Sequence, residues 1–288
     1  MEYDAWISWS VTLKCNFHCD YCIVSSIIES NEKIKEIDVE KLLRTLDNTK
    51  KTFLITLSGG EPFLVPNFTD ACKRITEKHF ITLNTNLTSD RIKDFAEKID
   101  PKRVKYIVAS FHLKELERTN LVGKYVSNLD ILRKKGFNVL VQEVGYPPYI
   151  KELIFYKDLF RKMGVVLTFQ KFIGELDGKK YPEAYTDEEI ETFGMKDEKG
   201  EGFNDFFQNG QICNAGYNAC VAYQRGDIHP CFQFNKEDDK TKIGNLYKEI
   251  RFNDDMMKCP FDSCSCPLNQ YDKKLFDKAL KETNNKKA

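Results

Sequence analysis

Short apolar segments alternate with amphipathic helical patterns through the first part of the chain. Six of these segments are rich in β-branched and aromatic residues and almost continuously apolar, which is typical of strands buried on both faces of a parallel sheet. The predicted strands cover residues 6–13, 52–57, 80–84, 104–110, 138–144 and 165–169.

Capping residues mark the boundaries of the helices between these strands. Asp38 is predicted to cap the first helix and Ser89 the third, because short polar side chains there accept hydrogen bonds from the first free amides. Gly136 and Gly164 stand where a helix ends and a strand begins, a position that favours a left-handed residue.

Six strand–helix units in succession predict parallel strands joined by right-handed crossovers. Six units are fewer than a closed barrel of this type requires. The predicted fold class is therefore α/β, an open, partial (β/α)6 TIM-like barrel with a small cysteine-rich region after it. In such folds chemistry takes place at the carboxyl ends of the strands, so the residues that follow each strand are the main functional candidates.

The pattern changes after residue 172. The next segment is polar, and its one helix signal is the capping box formed by Thr186 and Glu189. Gly226 then lies in a tight turn between two apolar stretches, which predicts a hairpin. The predicted organisation is a barrel at 1–172, a linker with a short helix at 173–212, an auxiliary region at 213–268, and a terminal helix and tail at 269–288.

Charge and hydropathy exclude two classes of protein. The chain has 288 residues, of which 44 are basic and 44 acidic, so it lacks the positive excess of a nucleic-acid binder. No apolar run approaches the roughly 18 residues of a membrane-spanning helix. The first residues also lack the pattern of a signal peptide. We therefore expect a cytoplasmic protein that binds neither nucleic acid nor membrane.

The ten cysteines fall into clusters, whereas there are only four histidines. In a cytosol that keeps thiols reduced, clustered cysteines indicate metal binding more often than disulfides. The scarcity of histidine favours iron–sulfur ligation over mixed zinc sites. The cysteines are Cys15, Cys19 and Cys22, then Cys72 alone, then Cys213, Cys220, Cys231, Cys259, Cys264 and Cys266.

The first cluster follows the first predicted strand directly. Spacings of three and two residues allow the thiolates of Cys15, Cys19 and Cys22 to converge from one short loop. Each iron of a [4Fe–4S] cube normally takes one cysteine, so three thiolates leave one iron for an external ligand. The alternative is a zinc knuckle, for which His18 is badly placed as the fourth ligand.

A second motif, Ser-Gly-Gly-Glu-Pro at residues 58–62, follows the second predicted strand. Paired glycines let a backbone approach a ligand closely, and the carboxylate of Glu61 supplies an acceptor for an ammonium group. Gly-Gly after a strand is by itself most often only a turn. The motif lies at the end of a strand adjacent to the cysteine motif, which favours a ligand shared by both.

Together the two motifs resemble the radical S-adenosylmethionine (SAM) superfamily. Its members carry Cys-x3-Cys-x2-Cys with an aromatic residue before the last cysteine, here Tyr21, and Gly-Gly-Glu-Pro after the second strand. The resemblance covers residues 6 to about 172. It implies that the three cysteines hold a [4Fe–4S] cluster whose fourth iron takes the amino and carboxylate groups of SAM. It also implies that the backbone around Tyr21 meets the adenine, and that Gly60 and Glu61, with Gly59 in the same stretch, bind the methionyl amine.

Polar residues at the other strand ends are candidates for binding the ribose and carboxylate of SAM, or the substrate. The alternative for each is a polar side chain that caps the next helix. The candidates are Asn84, Thr85 and Asn86 after the third strand, Ser110 and His112 after the fourth, and Gln142, Glu143 and Gln170 on the fifth and sixth.

The C-terminal cysteines resemble the auxiliary-cluster region of SPASM and twitch members of the superfamily. Cys213, twelve residues, Gly226, four residues and Cys231 match the opening of that region. The remaining cysteines, Cys259, Cys264 and Cys266, depart from the longer SPASM pattern, which implies the twitch-like form with one auxiliary [4Fe–4S] cluster. Cys213 and Cys231 are the predicted ligands, and which two of the last three complete the set stays open. A zinc ribbon is the alternative.

Two cysteines remain outside these ligand sets. Cys72 lies in a helical pattern and is most simply a small buried hydrophobe. Cys220, or the one of Cys259, Cys264 and Cys266 that ligates no cluster, is a candidate catalytic residue, because in some radical epimerases a free thiol returns a hydrogen atom to the substrate radical. The alternative for Cys220 is a structural free cysteine.

The predicted function is that of an oxygen-sensitive radical SAM enzyme. It would cleave SAM reductively and abstract a hydrogen atom from a small molecule or peptide, leading to oxidation, epimerisation or crosslinking. The predicted partner is a reducing electron donor such as a flavodoxin or ferredoxin. The competing hypothesis is a non-catalytic iron–sulfur or zinc-binding protein with an electron-transfer or structural role, in which Gly-Gly-Glu-Pro is only a turn.

Overall fold

Six parallel strands, each paired with the next, form the centre of the molecule. The computed structural model describes residues 1–22, 33–195, 206–207, 209–234, 236–264 and 272–287. The predicted partial (β/α)6 barrel is confirmed. The strands are β1 (Ala5–Thr12), β2 (Phe53–Gly59), β3 (Phe80–Thr85), β4 (Val104–Ser110), β5 (Val139–Gly145) and β6 (Leu167–Lys171).

Helices connect these strands: α1 (Val39–Asn48), α2 (Phe68–Thr76), α3 (Ile92–Lys98), α4 (Leu113–Arg118), α5 (Val122–Lys134) and α6 (Ile150–Lys162). Asp38 caps α1 as predicted, and Gly136 and Gly164 follow α5 and α6 with φ angles of +86° and +68°. The prediction for Ser89 is wrong. The N-cap of α3 is Arg91, and Ser89 Oγ instead accepts the Arg91 amide at 3.2 Å in the preceding turn.

The two faces of the central sheet differ in chemistry. Alternate residues such as Ile7 and Ile55 face the helices and are buried with Leu42 of α1. The other face forms the inside of the barrel, where Trp6 and Leu54 lie near the amino ends of the strands. By register, the uncharged polar residues on this inner face are Ser8, Ser10, Thr56, Ser58, Thr82, Asn84, Ser110, Gln142, Thr168 and Gln170.

The segment after β6 begins with a small hairpin of β7 (Gly174–Leu176) and β8 (Lys179–Tyr181), followed by α7 (Asp187–Phe193). Thr186 and Glu189 form the predicted capping box. The later elements are β9 (Phe206–Phe207), β10 (Ile212–Cys213), β11 (Ala219–Ala222), β12 (Asp227–His229), β13 (Gly244–Asn245), β14 (Glu249–Ile250), β15 (Met257–Lys258), β16 (Ser263–Cys264) and α8 (Lys273–Lys287). The predicted hairpin is the antiparallel pair β11–β12, with Gly226 in its turn at φ +84°.

One connection was not predicted: β11 pairs in parallel with β1, with Trp6 opposite Ala219 and Ile7 opposite Cys220. The sheet thereby extends to ten strands in the order β14-β13-β12-β11-β1-β2-β3-β4-β5-β6. On the inner face, Leu275 of α8 packs in the same cluster as Trp6 and Ala219. The cysteine-rich region is therefore continuous with the barrel sheet. Within the described residues, no helix is both long and apolar enough to cross a membrane.

Candidate active site

The three N-terminal cysteines lie in one loop directly after β1, each half-buried. The Cys22 amide donates to the Cys19 carbonyl at 3.1 Å, and the Phe17 amide donates to Cys15 Sγ at 3.4 Å. Burial raises the pKa of Cys15 to about 11, and the neighbouring Glu61 and Cys22 raise it further, against the lowering effect of the Phe17 amide. The loop therefore holds three interacting thiols at the carboxyl end of the barrel.

The side chains of Cys15, Cys19 and Cys22 do not form a complete metal site by themselves. Across the residues that the structure describes, no group of three or more His, Cys, Asp or Glu side chains is arranged to hold a metal ion. The donor chemistry nevertheless fits a [4Fe–4S] cluster, because three thiols on one loop are the ligand type that such clusters use.

The Gly-Gly-Glu-Pro stretch is tied to the segment that leads into this loop. The Gly60 amide donates to the Thr12 carbonyl at 2.7 Å, and the Glu61 amide donates to the Lys14 carbonyl at 2.8 Å. A Cβ atom at Gly59 would lie 2.1 Å from the Thr12 carbonyl oxygen. The glycines thus have a structural reason beside the predicted cofactor contact, since only glycine permits this approach of two backbones.

The Glu61 carboxylate is engaged within the protein and is 2% exposed. Its two oxygens accept hydrogen bonds from the Phe63 amide at 3.1 Å, the Thr85 hydroxyl at 2.8 Å and the Asn86 amide at 2.8 Å. Burial raises the pKa of Glu61 to about 7, although these three hydrogen bonds lower it. Its binding to the methionyl amine of SAM stays a prediction.

The other predicted cofactor-binding residues occupy two different places. Asn84 is exposed and Ser110 half-buried on the inner face of the barrel, where both are accessible to a ligand. Asn86 is buried, and its Nδ2 donates to Asn16 Oδ1 of the cysteine loop at 2.9 Å. Asn86 therefore helps to position the loop, and its part in binding SAM stays a prediction.

Tyr21 and His112 are brought together as part of one network with Glu143. The Tyr21 hydroxyl donates to Glu143 Oε1 at 2.9 Å and lies 3.2 Å from Nδ1 of His112. Burial lowers the pKa of His112 to about 4, so its imidazole is neutral at physiological pH. Burial also raises the pKa of Tyr21 far above its usual range, with Glu143 as the next cause. The phenol therefore stays protonated and acts as a hydrogen-bond donor.

Sequence analysis missed a second carboxylate that supports the loop, Glu115 of α4. Its Oε2 accepts the His18 amide at 2.7 Å and pairs with Arg118 at 2.8 Å. Lys114 also forms an ion pair with Asp20 of the loop. An acidic residue in the first turn of a helix usually interacts with its own helix, so no local signal distinguished Glu115.

Four C-terminal cysteines lie near one another, although in the described residues they do not form a metal-binding arrangement. Burial raises the pKa of Cys213, and the nearby thiols of Cys259 and Cys264 raise it further, whereas the Ala215 amide lowers it. Burial raises the pKa of Cys231 to about 11, with Cys213 and Cys264 as additional causes. Cys266 lies outside the described residues.

Local pairing explains how Cys259 reaches Cys213. Cys213 in β10 lies opposite Met257 of β15, and the Cys259 amide donates to the Gln211 carbonyl at 2.9 Å. Cys213 and Cys231 both pack against the cluster that contains Trp6, on the inner side of the barrel sheet. The four thiols therefore lie toward the amino ends of the strands, at the end opposite the N-terminal cysteine loop.

Cys220, the candidate catalytic residue, lies in the core of the structure. Its side chain is fully buried, and it lies opposite Ile7 on the helix-facing side of the sheet. Asn84 and Ser110 face the opposite side, so the sheet separates the Cys220 thiol from the inside of the barrel. This placement removes the access that a hydrogen-atom donor needs, and Cys220 is better explained as a buried apolar residue.

A family model with the description radical SAM superfamily matches residues 9–153, which include the cysteine loop, Glu61 and His112. The chain belongs to the radical SAM superfamily. Membership implies an enzyme that uses a [4Fe–4S] cluster and SAM. Cys15, Cys19 and Cys22 are the residues here whose chemistry fits that cluster.

The individual proteins that this chain resembles have low sequence identity to it. A GTP 3′,8-cyclase from Clostridium perfringens (strain SM101 / Type A) is 24% identical over 201 residues, which are 66% of this chain and 62% of the relative. The chain thus spans less than two thirds of that relative's length. The structure of native anSMEcpe with bound AdoMet and Cp18Cys peptide superimposes with a TM-score of 0.59 at 17% identity, covering 94% of this chain and 83% of that one. Streptococcus suis SuiB bound to precursor peptide SuiA gives a TM-score of 0.57 at 15% identity, covering 88% and 65%. These two likenesses are of fold.

Proposed function

We propose that this radical SAM enzyme abstracts a hydrogen atom from an uncharged polar substrate, a peptide or a small molecule, bound inside the barrel. The observation that carries the proposal is the position of the cysteine loop, which opens at the carboxyl ends of strands whose inner face is polar but uncharged. When bound, the cluster supplies the electron that cleaves the C–S bond of SAM and so generates the hydrogen-abstracting radical.

In this proposal, residues of this chain bind and orient the cluster, SAM and the substrate. Cys15, Cys19 and Cys22 hold the cluster, while the backbone of Gly60 and Glu61 keeps the loop against the end of β2. Asn84 and Ser110 present an amide and a hydroxyl to the barrel interior, which suits the ribose hydroxyls of SAM or polar groups of the substrate.

The inner face also discriminates between substrate classes. Along the described strands, none of the polar side chains on the inner face toward the carboxyl ends is charged. A nucleoside triphosphate needs Arg or Lys side chains around its phosphates. The lining therefore favours a neutral substrate over the GTP named for the curated relative. Both anSMEcpe and SuiB were solved with a bound peptide, which supports a peptide as the first substrate to test.

We also propose one auxiliary [4Fe–4S] cluster held by Cys213, Cys231, Cys259 and Cys264, in a twitch-like region. Cys259 and Cys264 lie close enough to Cys213, and Cys213 and Cys264 close enough to Cys231, to raise the pKa values of Cys213 and Cys231, which supports this set of ligands. The burial of Cys220 favours oxidation or crosslinking over an epimerisation that uses this thiol. A flavodoxin or ferredoxin in the cytoplasm would supply the electrons.

The test is anaerobic reconstitution with iron and sulfide, followed by reduction and assay of 5′-deoxyadenosine. About eight irons per chain and release of 5′-deoxyadenosine are expected for two cubes. Cys19→Ala should halve the iron and abolish release, with Cys72→Ala as the matched control. Bound zinc without SAM cleavage would instead support the non-catalytic metal protein. Consumption of GTP under the same conditions would overturn the substrate assignment alone.

A further inference from the structure

We infer that Glu143 is a positioning residue for the cysteine loop, acting through the hydroxyl of Tyr21. The inference rests on the proposed function, in which this loop holds the SAM-binding cluster. Glu143 lies on β5, and the sequence separates it from Tyr21 by 122 residues, so the contact exists only in the folded barrel.

The carboxylate of Glu143 has a complete and specific set of contacts. It is 4% exposed. Its Oε1 accepts from the Tyr21 hydroxyl at 2.9 Å and the Val144 amide at 2.7 Å, and its Oε2 accepts from the Leu113 amide at 2.8 Å. A buried carboxylate is costly to desolvate, and an apolar side chain would fill the same space at less cost. Its presence therefore points to the contacts that it makes.

Tyr21 packs against two aromatic rings, and its hydroxyl donates to Glu143 and lies 3.2 Å from Nδ1 of His112. Its ring lies 5.9 Å from that of His112 and 5.5 Å from that of Tyr146, centroid to centroid. The next residue is Cys22, whose amide bonds to the Cys19 carbonyl at 3.1 Å. A displacement of Tyr21 therefore passes directly along the backbone to two of the three cysteines.

One alternative is that Glu143 serves only α4, since the Leu113 amide opens that helix. The substitution Tyr21→Phe separates the two roles, because it removes the loop contact and leaves the bond to Leu113 intact. Glu143→Gln removes one acceptor oxygen and affects both contacts. A positioning role predicts that both substitutions loosen the loop and that the double variant loosens it no more than the stronger single variant.

The first experiment uses the metal-free protein. Alkylation of Cys19 and Cys22 by iodoacetamide, mapped by mass spectrometry, should become several-fold faster in Tyr21→Phe, in Glu143→Gln and in the double variant, with no further gain in the last. The matched control is the exposed pair Tyr156 and Glu117, whose hydroxyl–carboxylate distance is 3.2 Å. Tyr156→Phe and Glu117→Gln should leave these rates unchanged.

The second experiment uses reconstituted protein. The EPR spectrum of the reduced cluster with and without SAM, and the dissociation constant of SAM, should shift in the same direction in Tyr21→Phe and Glu143→Gln. Wild-type alkylation rates and an unchanged spectrum in Tyr21→Phe would overturn the inference, as would additive effects. If Glu143→Gln does not fold, Tyr21→Phe decides alone. A wild-type protein that holds no cluster would overturn the proposed function, while the alkylation rates would still decide the positioning role.

Discussion

A Cβ atom at Gly60 would lie 2.1 Å from the carbonyl oxygen of Lys14, the residue directly before Cys15. Gly60→Ala should therefore displace the start of the cysteine loop and reduce the iron bound after reconstitution by about half, at a cost of roughly 1–3 kcal/mol in the free energy of unfolding. Gly123→Ala is the matched control, because nothing lies within 4 Å of its added Cβ. That control should retain full iron and gain up to about 1 kcal/mol. Full iron in Gly60→Ala would show that the backbone contact is dispensable.

Glu61 and Glu143 should each contribute less to the stability of the metal-free protein as the pH rises above 5, whereas His79 and His112, whose pKa values burial lowers to about 4, contribute in the opposite direction up to about pH 6.5. Burial raises the pKa of Glu61 to about 7 and that of Glu143 to about 8 from an ordinary value of 4.5. The folded state thus keeps protons that the unfolded chain has released, and its advantage decreases until each carboxyl ionises in the folded protein. For Glu61, the rise in pKa from 4.5 to about 7 corresponds to a loss of about 3 kcal/mol in the free energy of unfolding as the pH rises through this range.

Urea unfolding between pH 5 and pH 9 measures this dependence. The difference in unfolding free energy between the wild type and Glu61→Gln should decrease up to about pH 7 and stay constant above it. The difference between the wild type and Glu143→Gln should decrease up to about pH 8. Curves of the wild-type shape in both variants would contradict the assignment.

Cys220 should matter for stability and not for chemistry. Cys220→Ser places a hydroxyl in the apolar core opposite Ile7, which should cost about 1–3 kcal/mol in urea unfolding. Release of 5′-deoxyadenosine and turnover of substrate should remain at wild-type levels. A stable Cys220→Ala protein that still releases 5′-deoxyadenosine but forms no product would restore the hydrogen-donor role.

The C-terminal ligand set should be separable from the N-terminal one. Cys264→Ala should lower the iron content from about eight to about four while the SAM-binding cluster remains. Cys266→Ala should keep about eight if Cys213, Cys231, Cys259 and Cys264 are the ligands. Iron analysis with EPR measures both, and a loss of iron in Cys266→Ala alone would reassign the fourth ligand.

The barrel was predictable from sequence because strands buried on both faces leave long apolar segments that need no knowledge of their partners. The same argument explains why Asp38 and Gly164 were correct: each acts on its own helix end. Ser89 failed because its hydroxyl has two local choices, a helix cap or a turn, and the chain uses it for the turn.

The site was predictable where spacing along the chain carried the chemistry, as for Cys15, Cys19 and Cys22. It was not predictable where the partner comes from a distant strand or helix. The hydrogen bond from the His18 amide to Glu115 spans 97 positions, and no local sequence pattern around either residue predicts it. The orientation of Cys220 was not predictable for the same reason, since only the register of β11 on β1 decides which side of the sheet it faces.

The C-terminal region covers the edge of the barrel sheet at β1, because β11 pairs there in parallel. Removing it would leave the amide and carbonyl groups of β1 open along one side, next to the indole of Trp6, which is a template for self-association. The two cysteine groups are therefore not interchangeable modules that can be excised or transplanted separately. Any metal bound at the C-terminal cysteines would also raise the stability of the barrel, because filling that site favours the one folded state in which both regions share a sheet.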